Sequence, residues 1–296
     1  MTSSVFHKAS AIAVTLILLS VSLCGCSIMK VKNYSEYEHA EKYSVGSGTA
    51  SAEDIRRIEI SWVTGSVHVE LYDKDVISFS EVSSLDRKKD SIGEATENKE
   101  LSESLRMRYR TEDGVLSIQF CKSGLRVRDA AVKDLKKDLT VYVPAGASFG
   151  SVTVDSVSSD VYVSGVSAGD IKIDGVSAAI KLVNCGSAAI SCSTVSGTVD
   201  VVSGANIESL SVSSVSGSIS VDAPSLSALS ASCVSANVSL RLEDTDLTVR
   251  MTGAVSHLYA NGLEYEKTEN DTYKFGTGKG SVSIDSVSGS VSLEAK

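Results

Sequence analysis

From residue 151 on, short runs alternate apolar and polar residues, as in Ser151-Val152-Thr153-Val154-Asp155, Asp170-Ile171-Lys172-Ile173-Asp174 and Ser218-Ile219-Ser220-Val221-Asp222. Alternation at period two places the apolar residues of each run on one face and the polar ones on the other, which predicts strands of about five residues with one dry side. The inner apolar pairs start at Val152, Val161, Ile171, Ile180, Ile190, Val199, Leu210, Ile219, Leu229, Val238 and Leu247, in steps of 9, 10, 9, 10, 9, 11, 9, 10, 9 and 9 residues. A Val-Ser pair, usually followed by Gly, Ala or Ser, punctuates the runs at Val157, Val166, Val176, Val195, Val215, Val234, Val255 and Val287. Most of these valines follow the last inward residue by three positions. Parity therefore flips there, and each such valine is expected to be a corner residue turned back into the core.

A fixed internal period decides the architecture before any local assignment does. One strand and one turn are too short to close around a core, but two make 19 or 20 residues. The predicted fold is all-β, a β-solenoid or parallel β-helix-like repeat domain over 151–296 with two short strands per 19–20-residue coil. The rival is a β-meander folded into a sandwich, with the same strands as hairpins. The turns, mostly Val-Ser-Gly or Val-Ser-Ala, lack the Asn-Gly and Asp-Gly dipeptides that hairpins favour. The repeat half holds 32 Ser and only five aromatics, Tyr162, Tyr259, Tyr265, Tyr273 and Phe275, which suits a narrow core and a wet exterior.

Ahead of the repeats, residues 53–150 form an N-terminal β region and cap. Ile58, Ile60 and Trp62, then Val67, Val69 and Leu71, read as strands around Gly65, and Asp75 to Ser80 as a third. Leu105 to Arg110 and Leu116 to Phe120 alternate on either side of Glu112-Asp113-Gly114, a hairpin signal. Leu263 to Phe275 reads as a hairpin inserted near 261–280. The chain start has a different character. Residues 1–25 contain one base, Lys8, and no acid, and Ala9 to Leu23 is uncharged and largely apolar, as in an export signal. Leu23-Cys24-Gly25-Cys26 resembles the lipobox of bacterial lipoproteins, with Cys26 as the lipidated first residue. The alternative, an uncleaved span, is short of the ~20 apolar residues a membrane helix needs. Residues 26–52 are expected to be a flexible tether.

Ile58-x-Ile60, the run Leu139-Thr140-Val141-Tyr142-Val143-Pro144-Ala145-Gly146 and the ending Asp285-Ser286-Val287-Ser288-Gly289-Ser290-Val291-Ser292-Leu293 resemble the bacterial putative-adhesin family with β-strand repeats, a domain of unknown function. The resemblance covers roughly 53–296. It implies a β-solenoid-like domain outside the cytoplasmic membrane, with adhesion in some members and envelope-stress signalling in others, and it carries over no catalytic residue.

Charge and chemistry narrow the function further. The net charge is -9, and loss of Lys8 with the signal makes it -10; the repeat half alone has 8 bases and 16 acids. Such a chain is a poor nucleic-acid binder. His39, His68 and His257 are scattered, and no spacing among Cys121, Cys185, Cys192 and Cys233 resembles a zinc or redox motif. No metal, cofactor or catalytic set is therefore expected. Gly276-Thr277-Gly278-Lys279-Gly280-Ser281 has the glycines of a phosphate loop but precedes a strand, and reads as a turn. Two candidate contact surfaces remain: Arg106, Arg108 and Arg110 on one strand face, with Arg126 and Arg128 nearby in sequence, and Tyr265, Tyr273 and Phe275 around the inserted hairpin. Each also has a structural reading, as a solvated face and as an end cover. The expected function is a non-enzymatic, lipid-anchored protein on the outer face of the bacterial cell membrane, presenting a surface for a protein, glycopolymer or peptide. An envelope-stress sensor acting with a membrane partner is the alternative, and a polysaccharide-active enzyme the third reading.

Overall fold

Residues 36–83, 101–125, 135–253, 257–268 and 271–296 are described by a computed structural model. The signal segment, Cys26, Arg126, Arg128 and Val255 lie outside the described residues. Among those described, no helix is long and apolar enough to cross a membrane. The chain forms two compact units, Ile28–Ala178 and Ala179–Lys296.

The N-terminal unit contains β1 (Ser44–Val45), β2 (Gly48–Ser51), β3 (Arg57–Tyr72), β4 (Val76–Ser83), β5 (Arg108–Glu112), β6 (Val115–Gln119), β7 (Lys137–Pro144), β8 (Ser148–Ser164) and β9 (Ser167–Gly175). The first long strand, β3, does not lie at the edge. It pairs in parallel with β6 and β7 on one side, through Ile58–Leu116 and Val67–Leu139, and with β8 on the other, through Ile58–Val152 and Val67–Val161. β8 then pairs in parallel with β9. The β5–β6 hairpin turns at Asp113 (φ 51°) and Gly114 (φ 74°), the two left-handed residues a type I′ turn requires. The core of this unit holds large side chains: Trp62, Phe79, Met107, Leu116 and Phe120 are all buried.

Part of the expected tether is docked. β1 pairs with β5 and β2 with β4, and Tyr37 donates its hydroxyl to the Cys121 carbonyl at 3.1 Å. Ordering this segment satisfies sheet edges that β4 and β5 would otherwise leave bare.

The C-terminal unit contains β10 (Ile180–Val183), β11 (Gly186–Ser196), β12 (Val199–Val202), β13 (Ile207–Ala223), β14 (Leu226–Leu242), β15 (Leu247–Gly253), β16 (His257–Tyr259), β17 (Glu266–Thr268), β18 (Thr272–Lys274), β19 (Gly280–Ser288) and β20 (Ser290–Ala295). Its long strands are parallel and pair one period apart, Ile180 with Val199, Ile190 with Leu210 and Ile219 with Val238. Parallel pairing rules out the meander of hairpins. The predicted inward residues, from Ile180 to Val249, are buried, Cys192 among them. β17 and β18 form the inserted hairpin, which pairs antiparallel with β15.

The Val-Ser punctuation has a different physical basis from the one expected. Val166 is buried, but Val157, Val176, Val195, Val215, Val234 and Val287 are half-exposed. The residue before the valine points inward instead: Ser156, Thr194, Ser214, Cys233 and Ser286 are all buried. The Ser156 and Ser286 hydroxyls bond to the corner backbone, whereas the Ser214 hydroxyl is buried without a hydrogen-bond partner. Ser156 Oγ donates to the Ser159 carbonyl at 2.9 Å and accepts the Ser159 amide at 3.0 Å, and Ser286 Oγ donates to the Ser288 carbonyl at 2.9 Å. A buried hydroxyl that saturates a turn in this way avoids the cost of an unmet polar group. Three positions on, inward parity resumes at a small residue. At Gly217 a Cβ would lie 1.9 Å from the Gly197 carbonyl oxygen, and at Gly289 one would lie 2.0 Å from that of Ala236. The corner signal is thus a small inward residue (Ser, Thr or Cys), a rim valine, and a residue small enough to clear the neighbouring backbone.

Candidate functional site

In the N-terminal unit, the outward residues of β4, β7, β3 and β8 form one face. Register aligns Ser78 with Tyr142, Glu70 with Tyr142 and Ser164, and His68 with Thr140 and Tyr162. The rings associate across strands. Tyr72 and Tyr142 stack with centroids 5.4 Å apart, and His68 lies 5.6 Å from Tyr162. His68 Nδ1 is 3.2 Å from Glu70 Oε1, and Lys74 Nζ stands 5.9 Å over the Tyr72 ring. Tyr142 is 37% exposed, and Val76 extends the apolar rim. Period-two alternation placed His68 outward. The gathering of Tyr72, Tyr142 and Tyr162 was not foreseen, because it depends on parallel registers between strands far apart in sequence. Among the described residues, no group of three or more His, Cys, Asp or Glu side chains is arranged to hold a metal ion.

The expected arginine surface is arranged differently. Arg106 precedes β5 and donates to the Leu101 carbonyl at 3.4 Å. Arg108 is buried, its Nη2 2.9 Å from the Glu103 carbonyl. Arg110 pairs with Glu112 at 2.8 Å and lies 5.1 Å over Tyr43. The guanidiniums of Arg108 and Arg110 therefore serve this unit's own groups. Around the inserted hairpin, Tyr273 and Phe275 are buried and only Tyr265 is exposed, within 5.5 Å of both. This trio is mainly an end cover: strand pairing aligns Tyr273 with Val249 and directs it inward. The four cysteines of the described residues form no disulfide.

A second polar feature lies beneath the first face. Lys137 is fully buried, and its Nζ donates to Glu81 Oε2 at 2.6 Å, to the Leu105 carbonyl at 2.8 Å and to the Phe120 carbonyl. Its ammonium lies 4.1 Å from the Phe120 ring centroid and 4.9 Å from that of Trp62. Glu81 Oε1 accepts the Met107 amide at 2.8 Å. Burial pushes the lysine's pKa down, and the Glu81 carboxylate opposes that shift. The charge run Lys136-Lys137-Asp138 hid this residue, although it shares inward parity with Leu139, Val141 and Val143.

Asp155 and Asp174 stand directly opposite each other on β8 and β9. Burial first, and then the Asp174 charge, push the Asp155 pKa up to about 6. A folded-state pKa above the unfolded 3.8 means that this group's contribution to stability is full below pH 3.8 and is lost as pH rises through about 6. Asp155→Asn is expected to stabilise the N-terminal unit by up to about 2 kcal/mol at pH 7 and to change little at pH 3.5. Urea unfolding at both pH values reads this directly.

The fold is thus that of an all-β protein built mainly of parallel strands, with an outward aromatic strip in its N-terminal unit. Residues 55–296 match the Toastrack DUF4097 family, and the chain belongs to it. No curated protein matches the chain. Among solved structures it is similar to a putative cell adhesion protein from Clostridium sporogenes, at 10% identity and a TM-score of 0.39, over 86% of this chain and 100% of that one. It is also similar to a putative adhesin from Bacteroides fragilis, at 12% identity and a TM-score of 0.40, over 84% of this chain and 97% of that one.

Proposed function

We propose that this protein is a non-enzymatic adhesin, lipid-linked through Cys26 on the outer face of the bacterial membrane, which binds neutral polysaccharide on the Tyr72–Tyr142–Tyr162 face. In this reading the repeats form a solenoid with two strands per 19–20-residue turn, a stiff spacer that carries no chemistry of its own. The observation that supports it is the collection of three tyrosines and a histidine on one outward sheet face of a chain that is only 5% aromatic. Exposed tyrosine rings offer flat apolar surfaces with a polar tip, suited to the C–H faces and hydroxyls of sugars. Glu70, Asp138 and Asp160 on the same face, and the chain's net charge of -9, oppose polyanions and favour an uncharged glycan.

Cells producing the protein should attach to a surface coated with an N-acetylglucosamine polymer. Attachment should fall at least about tenfold with Tyr142→Ala/Tyr162→Ala, whose loss is that of two aromatic anchors. Cys26→Ala should release the protein from the membrane and also abolish attachment. Unchanged attachment by the tyrosine variant would reject the glycan face. Membrane retention of the Cys26 variant would reject the lipid anchor.

A further inference from the structure

The last strands of the chain are out of order. By sequence, β15 and β16 should follow β14 in the stack, yet β19 and β20 lie between them. β19 pairs in parallel with β14 through Ser230–Ser283 and with β15 through Val249–Val282. β20 pairs in parallel with β14 through Val238–Val291 and with β16 through Leu258–Val291. Residues 280–295 therefore occupy a slot two strand spacings wide, about 10 Å, walled by β14 on one side and by β15 and β16 on the other. Val282, Ile284, Val291 and Leu293 point into the core from this segment, each at most 1% exposed.

The loop leading into the slot is held mainly by Asp246, with Thr248 Oγ1 donating to the Gly278 carbonyl at 3.3 Å beside it. Asp246 Oδ1 accepts the Gly278 amide at 2.6 Å and the Lys279 amide at 3.2 Å, and its Oδ2 accepts the Thr277 hydroxyl at 2.7 Å. These bonds hold the Asp246 carboxyl below the usual range. The loop that has the glycines of a phosphate site is thus closed on an internal carboxylate. Gly276 (φ 59°) and Gly278 (φ 76°) give it two left-handed joints between the inserted hairpin and β19.

We propose that residues 280–295 are an exchangeable donor segment, that the slot between β14 and β15/β16 accepts the same segment from a second copy of this chain, and that Asp246 is the latch that keeps it at home. A second copy is the fitting occupant because every register pair and buried side chain of the seated segment is reproduced on exchange. Only the hinge at 276–279 changes conformation. A slot wall left bare would present unpaired strand edges on both sides, so an emptied molecule is driven to accept another donor.

Paired cysteine variants of the full chain test this. One copy carries Ser230→Cys and the other Ser283→Cys, positions that are exposed and opposite each other in register. Adjacent strands bring their Cα atoms to about 5 Å, within disulfide range. The two are mixed at high concentration, oxidised and digested. A disulfide-linked dimer whose linked peptides join positions 230 and 283 is the expected result, and Asp246→Ala in both copies should raise its yield roughly threefold or more. The double variant Ser230→Cys/Ser283→Cys should close within one chain, stay monomeric and be inert to exchange, which also verifies folding and register. Closure in the double variant with no 230–283 link between copies would overturn the exchange. Exchange at an unchanged rate with Asp246→Ala would overturn the latch.

Discussion

Lys137→Ala should destabilise the N-terminal unit by about 3–5 kcal/mol, because it strands a buried carboxylate and two carbonyls. Glu81, with a side chain only 8% exposed, would lose its counter-ion, and the Leu105 and Phe120 carbonyls would lose their donor. Lys137→Met keeps most of the volume and isolates the charge. Combining it with Glu81→Gln removes the orphaned charge while retaining an acceptor for the Met107 amide, so the pair should cost clearly less than the sum of the single changes. Trp62 is the chain's one tryptophan, is fully buried and donates its indole N–H to the Lys137 carbonyl at 2.8 Å. Its fluorescence during urea unfolding reports on this cluster. A double-mutant cycle with no coupling would show that the lysine and glutamate act independently.

Gly217→Val should be comparably severe in the C-terminal unit, about 3–5 kcal/mol, from overpacking added to backbone strain. Its φ of 147° disfavours any L side chain, and the added Cβ would lie 1.9 Å from the Gly197 carbonyl oxygen. The clash does not yield cheaply, because it is with the backbone of Gly197, whose amide is bonded to the Ser216 carbonyl at 3.3 Å. Gly262→Ala separates the two causes: its φ is also positive, at 76°, but nothing lies within 4 Å of the new Cβ. That change should cost only about 1 kcal/mol. Hydrogen exchange across 207–242 reads both variants. Similar protection in the two would mean that the corner does not require a small residue.

These two positions show what could and could not be read from residue order. Period-two alternation located nearly every inward side chain of the repeats, and the 9–10-residue clock located the corners, because both are local consequences of strand geometry. The reason for the Ser-Val-Ser-Gly phrase was misjudged. Valine is the apolar residue of the phrase, yet it is the small residue before it that points inward, and the small residue after it that clears the neighbouring backbone. Lys137 was legible by parity but masked by its charged neighbours. Two features lay beyond local pattern altogether. β3 lies between β8 and the pair β6/β7, and β19/β20 lie between β14 and β15/β16; a period gives spacing but not the order of stacking. The tyrosine face has the same origin, since Tyr142 and Tyr162 share a face only because β3 lies between their strands. The arginine and hairpin surfaces were found as residues, but their exposure was decided by Glu103 and Glu112 in one case and by pairing with β15 in the other.

Equilibrium binding of an N-acetylglucosamine oligomer to purified protein tests the tyrosine face as a contact surface most directly. The wild type should bind, and Tyr142→Ala/Tyr162→Ala should weaken binding at least about tenfold with its unfolding midpoint nearly unchanged. Equal affinity in the two proteins, with both folded, would contradict it.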